Sequence, residues 1–240
     1  MLLEVRDLTV YYGQVRALHR VSFQVERGEI VAMIGPNGAG KSTALRAVCG
    51  LLEMYDGRVA EGEIRFKGRS ILRVPPYDLV RLGIGFVPQA GGIFPSMTVY
   101  ENLEMGGYLL QDRRQLQERI AEVFQLFPIL EERKKQRAAT LSGGEQQMLA
   151  MGKALILEPD LLVLDEPSAG LSPNYVEEVF RKIQAIHQRG IAILLVEQNA
   201  RLALMHSDRA YVFQIGEIAK EGKSASLMED PEIKRIYLGM

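Results

Sequence analysis

The nine residues GPNGAGKST, at positions 35–43, constrain the fold more than any other part of the chain. The segment EIVAMI before them, which is apolar after its first residue, has the composition of a strand, and the residues from Lys41 to Cys49 are typical of a helix that ends at Gly50. A glycine-rich turn between a strand and a helix directs backbone N–H groups and the positive end of the helix dipole toward one point. This segment is therefore expected to bind the phosphate groups of a nucleotide.

Each residue type in this segment has an expected role. The glycines let the backbone approach phosphate oxygens without an intervening Cβ. Lys41 is expected to reach the β and γ phosphates, and the hydroxyl of Ser42 is expected to bind Mg²⁺. The predicted nucleotide contacts in this loop are Gly35, Pro36, Asn37, Gly38, Ala39, Gly40, Lys41, Ser42 and Thr43.

A pair of acids marks the second half of such a site. The segment LLVLDEP, residues 161–167, places Asp165 and Glu166 directly after a buried strand, at the edge where ligands bind in open α/β sheets. Asp165 is expected to hold Mg²⁺ through water, and Glu166 to polarise the attacking water as a general base. The alternative is that the two acids cap the next helix. These features also fit a kinase, a small GTPase or a helicase motor, although a nucleobase-reading NKxD-type motif is missing.

The order of the predicted elements indicates an α/β protein. Residues 2–34 read as extended segments separated by turns, whereas residues 96–158 carry an amphipathic helical stripe that includes Ile120 and Phe124. After this region, strands alternate with helices, which implies a parallel sheet with helices packed on it. We therefore expect one domain, 1–240, with an N-terminal antiparallel β region, a mainly parallel core sheet and an inserted helical subdomain at approximately 90–158.

Charge and hydropathy exclude several classes of function. The chain has 29 Lys and Arg against 30 Asp and Glu, a formal net charge of −1, so no overall field attracts nucleic acid or anionic lipid. The N-terminus MLLEVRDLTV lacks the apolar core of a signal peptide. The longest apolar runs, such as IAILLV at 191–196, fall short of the ~18 residues that cross a membrane. No nucleic-acid partner is expected, and any role at a membrane requires a membrane-embedded partner.

A second segment, LSGGEQQ at residues 141–147, also has the features of an anion site. Ser142 and Glu145 form the pattern of a capping box, so a helix is expected to begin here with its free N–H groups facing outward. Gly143 and Gly144 each cost roughly 1 kcal/mol within a helix, a penalty that is explained if the backbone closely approaches a ligand. The alternative is an ordinary helix start. Because the chain cannot easily fold this segment over its own phosphate loop, a second copy is the expected partner.

Together these motifs carry a resemblance that covers the full length of the chain. The phosphate loop, a glutamine at position 89 after a strand, LSGGEQQ and LVLDEP occur in the order found in the ATP-binding subunits of ABC transporters, which are P-loop NTPases. The resemblance implies that two such subunits pair head to tail. It also implies that each ATP, with Mg²⁺ as cofactor, lies between the P-loop of one subunit and the signature of the other. The implied signature residues are Ser142, Gly143, Gly144 and Glu145.

The same resemblance implies roles for further residues and for partners. Gln89 resembles the glutamine that contacts Mg²⁺ or the attacking water and links the core to the helical subdomain. Tyr12 resembles the aromatic residue that stacks on adenine, although either Tyr11 or Tyr12 must face the core if the segment is a strand. The implied partners are integral membrane permease subunits, a second ATPase subunit and, indirectly, an extracytoplasmic solute-binding protein. These partners imply a peripheral location at the cytoplasmic face of the plasma membrane.

Local segments narrow the resemblance to one subgroup. SAGLSP, VEQNARLAL and the ending IYLGM resemble the smaller of the two unlike ATPase subunits of branched-chain and other neutral amino-acid importers. Urea importers look similar, and this chain has Gln-Ala-Gly-Gly after Val-Pro where relatives in the amino-acid group often have Glu-Gly-Arg. The alternatives are a urea-type or other ABC transporter, a soluble ABC ATPase and a self-contained P-loop kinase.

Two positions depart from the wider family. Gln198 lies where most ABC ATPases have a switch histidine over the γ-phosphate, and Ser172 replaces the usual aspartate in the loop after Glu166. A glutamine amide donates only a neutral hydrogen bond, whereas a histidine changes its charge near neutral pH. Gln198 is therefore expected to act as a catalytic phosphate sensor without a protonation step. The alternative is that it only precedes Asn199, the cap of the next helix.

Overall fold

The computed structural model describes residues 1–89 and 91–238, with Leu238 described by its backbone alone. Within these residues the strands are β1 (Leu3–Tyr12), β2 (Val15–Val25), β3 (Ile30–Ile34), β4 (Gly57–Phe66), β5 (Arg69–Ser70), β6 (Ile84–Val87), β7 (Leu161–Asp165), β8 (Ala192–Val196), β9 (Arg209–Gln214) and β10 (Glu217–Lys223). An antiparallel sheet has the order β2-β1-β4-β5, and a larger sheet has the order β10-β9-β3-β8-β7-β6. In the larger sheet, β10 pairs antiparallel with β9, and the other described pairs are parallel.

Helices pack on both faces of the larger sheet. They are α1 (Lys41–Val48), α2 (Pro76–Leu82), α3 (Val99–Gly106), α4 (Arg113–Leu126), α5 (Pro128–Glu132), α6 (Gly143–Leu155), α7 (Pro173–His187), α8 (Ala200–Met205), α9 (Ser224–Glu229) and α10 (Pro231–Ile233). Short 3-10 turns cover Leu52–Tyr55 and Ala138–Thr140, and a π-helical turn covers Lys234–Leu238. The architecture confirms the expected fold class, an α/β protein with an N-terminal antiparallel region and a mainly parallel core sheet.

The larger sheet is buried on both faces, which explains the uninterrupted apolar runs of its central strands. In β7, Leu161 and Val163 pack with the smaller sheet and α1, whereas Leu162 and Leu164 pack with the helices on the opposite face. All four side chains are fully buried. Strand β8 alternates in the same way. The central strands therefore form a rigid platform for the loops at their ends.

The parallel register brings the carboxyl ends of three strands to one edge. Val196, at the end of β8, lies opposite both Met33 of β3 and Asp165 of β7. The phosphate loop, the acid pair and Gln198 directly follow these strand ends. Their positions agree with the rule that ligands bind beyond the carboxyl ends of parallel strands.

Helices α3 to α6 occupy much of the region that the sequence predicts to be helical. A capping box begins α3 at Thr98 and another begins α6 at Ser142. On α4, Ile120 and Phe124 are buried in a cluster that also contains residues of α6 and α7. The division of the chain into a core and a subdomain at approximately 90–158 stays a prediction. Among residues 1–89 and 91–238, no helix combines the length and the apolar composition that a membrane crossing requires.

Candidate nucleotide-binding site

The loop between β3 and α1 forms an open backbone turn. Gly38 has a φ of 79°, and a Cβ added there would meet no atom within 4 Å, so this face is accessible to a ligand. Gly40 has a φ of 104° and precedes α1, and an added Cβ would lie 2.6 Å from the side chain of Leu18. Only glycine fits Gly40 without strain. The backbone N–H of Gly216, at the tip of the β9–β10 hairpin, donates to the Ala39 carbonyl at 3.0 Å and supports the loop from outside.

This turn opens into a cleft that collects most of the predicted site residues. The cleft is lined by Ala17, Asn37, Gly38, Ala39, Gly40, Lys41, Ser42, Thr43, Gln89, Glu166 and Gln198. Gly35 and Pro36 lie outside this lining. An added Cβ at Gly35 would lie 2.3 Å from the carbonyl oxygen of Phe213, so Gly35 permits close packing rather than contact with the cleft.

Lys41 is a buried cation held by neutral groups. It is 4% exposed, and its Nζ donates to the carbonyl oxygens of Gly35 at 2.8 Å and Pro36 at 3.0 Å. Burial lowers the pKa of Lys41, and the negative charge of Glu166 opposes that shift. Carbonyl oxygens do not neutralise an ammonium group, so Lys41 favours an anion in the cleft.

Ser42 lines the cleft, and its side chain contacts Asp165, which lies outside the lining. The Ser42 hydroxyl donates to Oδ1 of Asp165 at 3.0 Å. Asp165 is 8% exposed, and burial raises its pKa, while the hydrogen bond from Ser42 acts in the opposite direction. A hydroxyl and a carboxylate are the oxygen ligands that Mg²⁺ prefers, so these residues fit the predicted metal site.

Glu166 and Gln89 meet on the other side of the cleft. The Gln89 amide donates to Oε2 of Glu166 at 2.7 Å. Glu166 has a φ of 48°, a conformation that costs on the order of 1–3 kcal/mol for a residue other than glycine. Its backbone N–H donates to the carbonyl of Val196 at 2.9 Å. Such strain is common at functional sites.

Gln198 reaches the cleft from the end of β8. Its side chain is exposed and lines both this cleft and a neighbouring cavity that also contacts Glu166. Asn199 is the cap of α8, because its side chain accepts a hydrogen bond from the N–H of Leu202 at 3.1 Å. Both alternatives for Gln198 agree with this geometry, and its sensor role stays a prediction.

Tyr12 is outside the lining of the cleft. It packs partly against the core, and its hydroxyl lies 3.5 Å from Nη1 of Arg46 on α1. Tyr11 lies beside Arg58, with the guanidinium carbon 5.2 Å from the ring centre. Both rings are partly exposed. Stacking of Tyr12 on adenine stays a prediction.

The segment LSGGEQQ forms the predicted helix start. The Ser142 hydroxyl accepts from the N–H of Glu145, and the Glu145 carboxylate accepts from the N–H of Ser142. Glu145 also forms an ion pair with Arg133 at 3.0 Å. No residue of this segment lines the cleft of the phosphate loop.

The two glycines of this segment have different environments. An added Cβ at Gly144 would lie 2.2 Å from the ring of Tyr175, so packing within the chain already requires this glycine. Gly143 is exposed, and an added Cβ there would meet only Leu171, at 3.3 Å. Contact with Tyr175 is therefore sufficient to explain the glycine at position 144. The close approach of a ligand remains the expected reason for Gly143.

The sequence analysis assigned no role to Glu197, which the structure places beside the site. Glu197 is 2% exposed and accepts hydrogen bonds from the backbone of Ser168 and of Gln198. The signal in the sequence is an acid at the end of an apolar strand, the same pattern that identified Asp165. Ala17, which also lines the cleft, carries no comparable signal.

Comparison with known proteins agrees with this geometry. The family model described as "ABC transporter" matches residues 18–169. The branched-chain amino acid transport ATP-binding protein BraG of Pseudomonas aeruginosa is 44% identical, over 99% of this chain and 100% of that protein. LivF of Archaeoglobus fulgidus, a probable branched-chain amino acid transport ATP-binding protein, is 37% identical over 100% and 99%. The lipopolysaccharide export ATP-binding protein LptB of Haemophilus influenzae is 35% identical over 99% and 97%.

A solved structure shares the fold over its whole length. The crystal structure of an ATP-binding cassette of an ABC transporter in its ADP conformation has a TM-score of 0.87 and 28% identity, covering 100% of this chain and 99% of the other. With its family model, its full-length relatives and this cassette fold, the chain belongs to the ABC transporter family and is an ATP-hydrolysing subunit of that family.

Proposed function

We propose that this ATPase powers a membrane importer for branched-chain or other neutral amino acids. The observation that carries the proposal is the convergence of Lys41, Gln89, Glu166 and Gln198 on one cleft while the LSGGE helix start lies outside it. A nucleotide on the P-loop then leaves the signature free to contact the nucleotide of a second subunit. The full-length relatives at 44% and 37% identity, both named for branched-chain amino acid transport, support the substrate class.

Within this proposal each site residue has a role in ATP hydrolysis. Residues 35–43 surround the phosphates, and Lys41 neutralises their charge. Tyr12 stacks on adenine. Ser42, Asp165 and Gln89 would hold Mg²⁺, which would supply positive charge to the phosphate oxygens. Glu166 orients and polarises the attacking water, with its carboxylate positioned by the Gln89 amide, and Gln198 donates a neutral hydrogen bond to the γ-phosphate.

The proposal also assigns partners and location. ATP joins two ATPase subunits, an unlike pair in the assembled transporter, through Ser142, Gly143, Gly144 and Glu145 of the opposite chain. Closure of the pair moves integral membrane permease subunits, and hydrolysis releases it. An extracytoplasmic solute-binding protein delivers the substrate, and this chain lies at the cytoplasmic face of the plasma membrane.

Reconstitution of the complex tests this function. The tagged chain is purified from membranes with its bound permease subunits, and uptake of labelled leucine and of labelled urea is measured in proteoliposomes. ATP-dependent uptake of leucine supports the proposal. Uptake of urea alone supports a urea-type transporter, ATP-driven release of a lipid supports an exporter, and the absence of any integral membrane partner supports a soluble ABC ATPase.

Glu166→Gln is the variant that connects the site to this transport. The amide keeps the shape of the side chain but removes the base, so ATP turnover is expected to fall by roughly 10²-fold or more while ATP still binds. Leucine uptake should fall in parallel. A complex with Glu166→Gln that turns over ATP within about three-fold of the wild-type rate contradicts the assignment of the base.

A further inference from the structure

Glu197 is a buried acid that neither the motifs nor the proposed hydrolysis uses. It follows β8 directly and is 2% exposed. Burying a carboxylate is costly unless hydrogen bonds satisfy its oxygens. Both oxygens of Glu197 accept hydrogen bonds from backbone groups of the loops that carry site residues. These bonds offset the cost of burying the carboxylate and indicate a role for Glu197 beyond packing.

The first of these bonds reaches the loop after the general base. The backbone N–H of Ser168, two residues after Glu166, donates to Oε1 of Glu197 at 3.1 Å. The second bond is to the next residue in the chain, since the N–H of Gln198 donates to Oε2 at 3.2 Å. One carboxylate thus joins the loop of Glu166 to Gln198, the proposed phosphate sensor.

Backbone bonds extend this connection to the start of the phosphate loop. The N–H of Glu197 donates to the carbonyl of Met33, near the end of β3, at 3.2 Å. The N–H of Glu166 donates to the carbonyl of Val196. Burial raises the pKa of Glu197, while its bonds to Ser168 oppose that change. The cavity beside the nucleotide cleft is lined by Glu166, Ser168, Glu197 and Gln198 together.

We propose that Glu197 is a positioning residue for hydrolysis, which holds the Glu166 loop and Gln198 in one fixed arrangement so that base and sensor act together. Glu197 is not itself among the residues that line the nucleotide cleft. The inference rests on the roles proposed for Glu166 and Gln198. It predicts that changing Glu197 alters the rate of the chemical step and leaves ATP binding unchanged.

The test compares isosteric variants of two buried acids in the full-length chain. In Glu197→Gln the amide oxygen still accepts one hydrogen bond, but the amide nitrogen cannot accept the other. Glu29→Gln is the matched control. Glu29 is also largely buried, accepts from the N–H of Glu26 and pairs with Arg209, but it lies just before β3, at the opposite edge of the sheet.

Steady-state hydrolysis, ATP affinity by calorimetry and the urea midpoint are measured for each protein. Glu197→Gln is expected to lower kcat by roughly 10-fold, because a hydrogen bond to a charged group is lost from the arrangement of the base. Its KM and ATP Kd should stay within about two-fold of wild type. Glu29→Gln should lower the urea midpoint and leave kcat unchanged. If the amide variant does not fold, Glu197→Asp takes its place, since the shorter side chain cannot reach both loops.

A double-mutant cycle with Gln198→Ala provides the second readout. If Glu197 acts by positioning Gln198 and the Glu166 loop, the double variant loses less activity than the product of the two single losses. The proposal is overturned if the losses of activity in the two single variants simply multiply in the double variant. It is also overturned if Glu197→Gln has the wild-type kcat, or if Glu29→Gln lowers kcat by the same factor. Glu166→Gln, measured in parallel, separates this outcome from failure of the site itself. A wild-type rate in Glu166→Gln contradicts the assignment of Glu166 as the base. A slow rate in Glu166→Gln together with wild-type rates in the Glu197 variants contradicts only the positioning role of Glu197.

Discussion

At the scale of single residues, the adjacent tyrosines of β1 have different surroundings, which allows the predicted adenine contact to be tested. Side chains alternate along a strand, so Tyr11 and Tyr12 face opposite sides. The hydroxyl of Tyr12 lies near Arg46 of α1, the helix that begins at the phosphate loop. Tyr11 instead lies beside Arg58 of β4. Tyr12 therefore lies on the side of α1, and its stacking on adenine stays a prediction.

Tyr12→Ala is expected to weaken ATP binding by about five-fold, because one aromatic contact with a base contributes on the order of 1 kcal/mol. Tyr12→Phe keeps the ring and should bind ATP like wild type, which excludes an effect of the hydroxyl. Tyr11→Ala is the matched control and should leave the affinity unchanged. Calorimetric titration of the full-length chain measures all three, and a larger loss in Tyr11→Ala than in Tyr12→Ala contradicts the assignment.

Individual site residues differ in how readily the sequence reveals them. Lys41 and Asp165 are predictable because each belongs to a short motif whose local backbone determines where the side chain lies. The roles of Gly144 and Glu197 depend on Tyr175 and Ser168, which are distant in the chain and meet them only in the folded protein. No spacing rule in the sequence indicates such pairs.

At the scale of elements, the contact between α7 and the end of α8 contains a histidine whose pKa is lowered by burial. The ring of His206 lies 4.7 Å from the ring of Phe180, measured between centroids. The Gln184 amide donates to the His206 carbonyl at 3.0 Å. Burial lowers the pKa of His206 below its ordinary value of 6.5. Protonation therefore favours the unfolded chain.

This shift predicts a loss of stability in mild acid. The contribution of neutral His206 is complete above the unfolded pKa and is lost as the pH falls from that value toward the folded pKa. Lowering the pH from about 7.5 to about 5.5 should reduce the free energy of unfolding more in wild type than in His206→Gln, which cannot be protonated. Urea titrations at both pH values measure the difference. His19→Gln serves as the control, and an equal loss in wild type and His206→Gln would show that another group is responsible.

Most elements are predictable because their patterns are local. The strands β7 and β8 are uninterrupted apolar runs, and the capping box at Ser142 marks the start of α6. The 3-10 turn at Ala138–Thr140 and the short π-helical turn at Lys234–Leu238 carry no such pattern. Their geometry follows from packing against other parts of the chain.

At the scale of the whole molecule, the phosphate loop lines the nucleotide cleft, whereas the LSGGE helix start of α6 lies outside the lining of that cleft. The fold follows from the order of its strands and helices, which the sequence displays directly. The proposed pairing of two chains cannot be read from the fold in this way, because a surface that would be completed by another copy has no internal partner to reveal it. Gly143 is the position at which this pairing is tested most cleanly, since it is exposed and an added Cβ meets only Leu171.

Gly143→Asp should leave the single chain intact and prevent its ATP-dependent pairing. An acid in the first turn of a helix is favoured by the helix dipole, so the fold of α6 is expected to tolerate it, whereas Gly144→Asp would collide with Tyr175 and lower the stability. The ATP Kd of the Gly143→Asp chain should equal that of wild type, because that nucleotide binds the P-loop. In a Glu166→Gln background, size-exclusion chromatography with ATP should show dimers, and adding Gly143→Asp should abolish them because a carboxylate repels the partner's γ-phosphate. Loss of ATP binding by the single chain would mean that LSGGE serves its own nucleotide, and dimers that persist would exclude the signature from the interface.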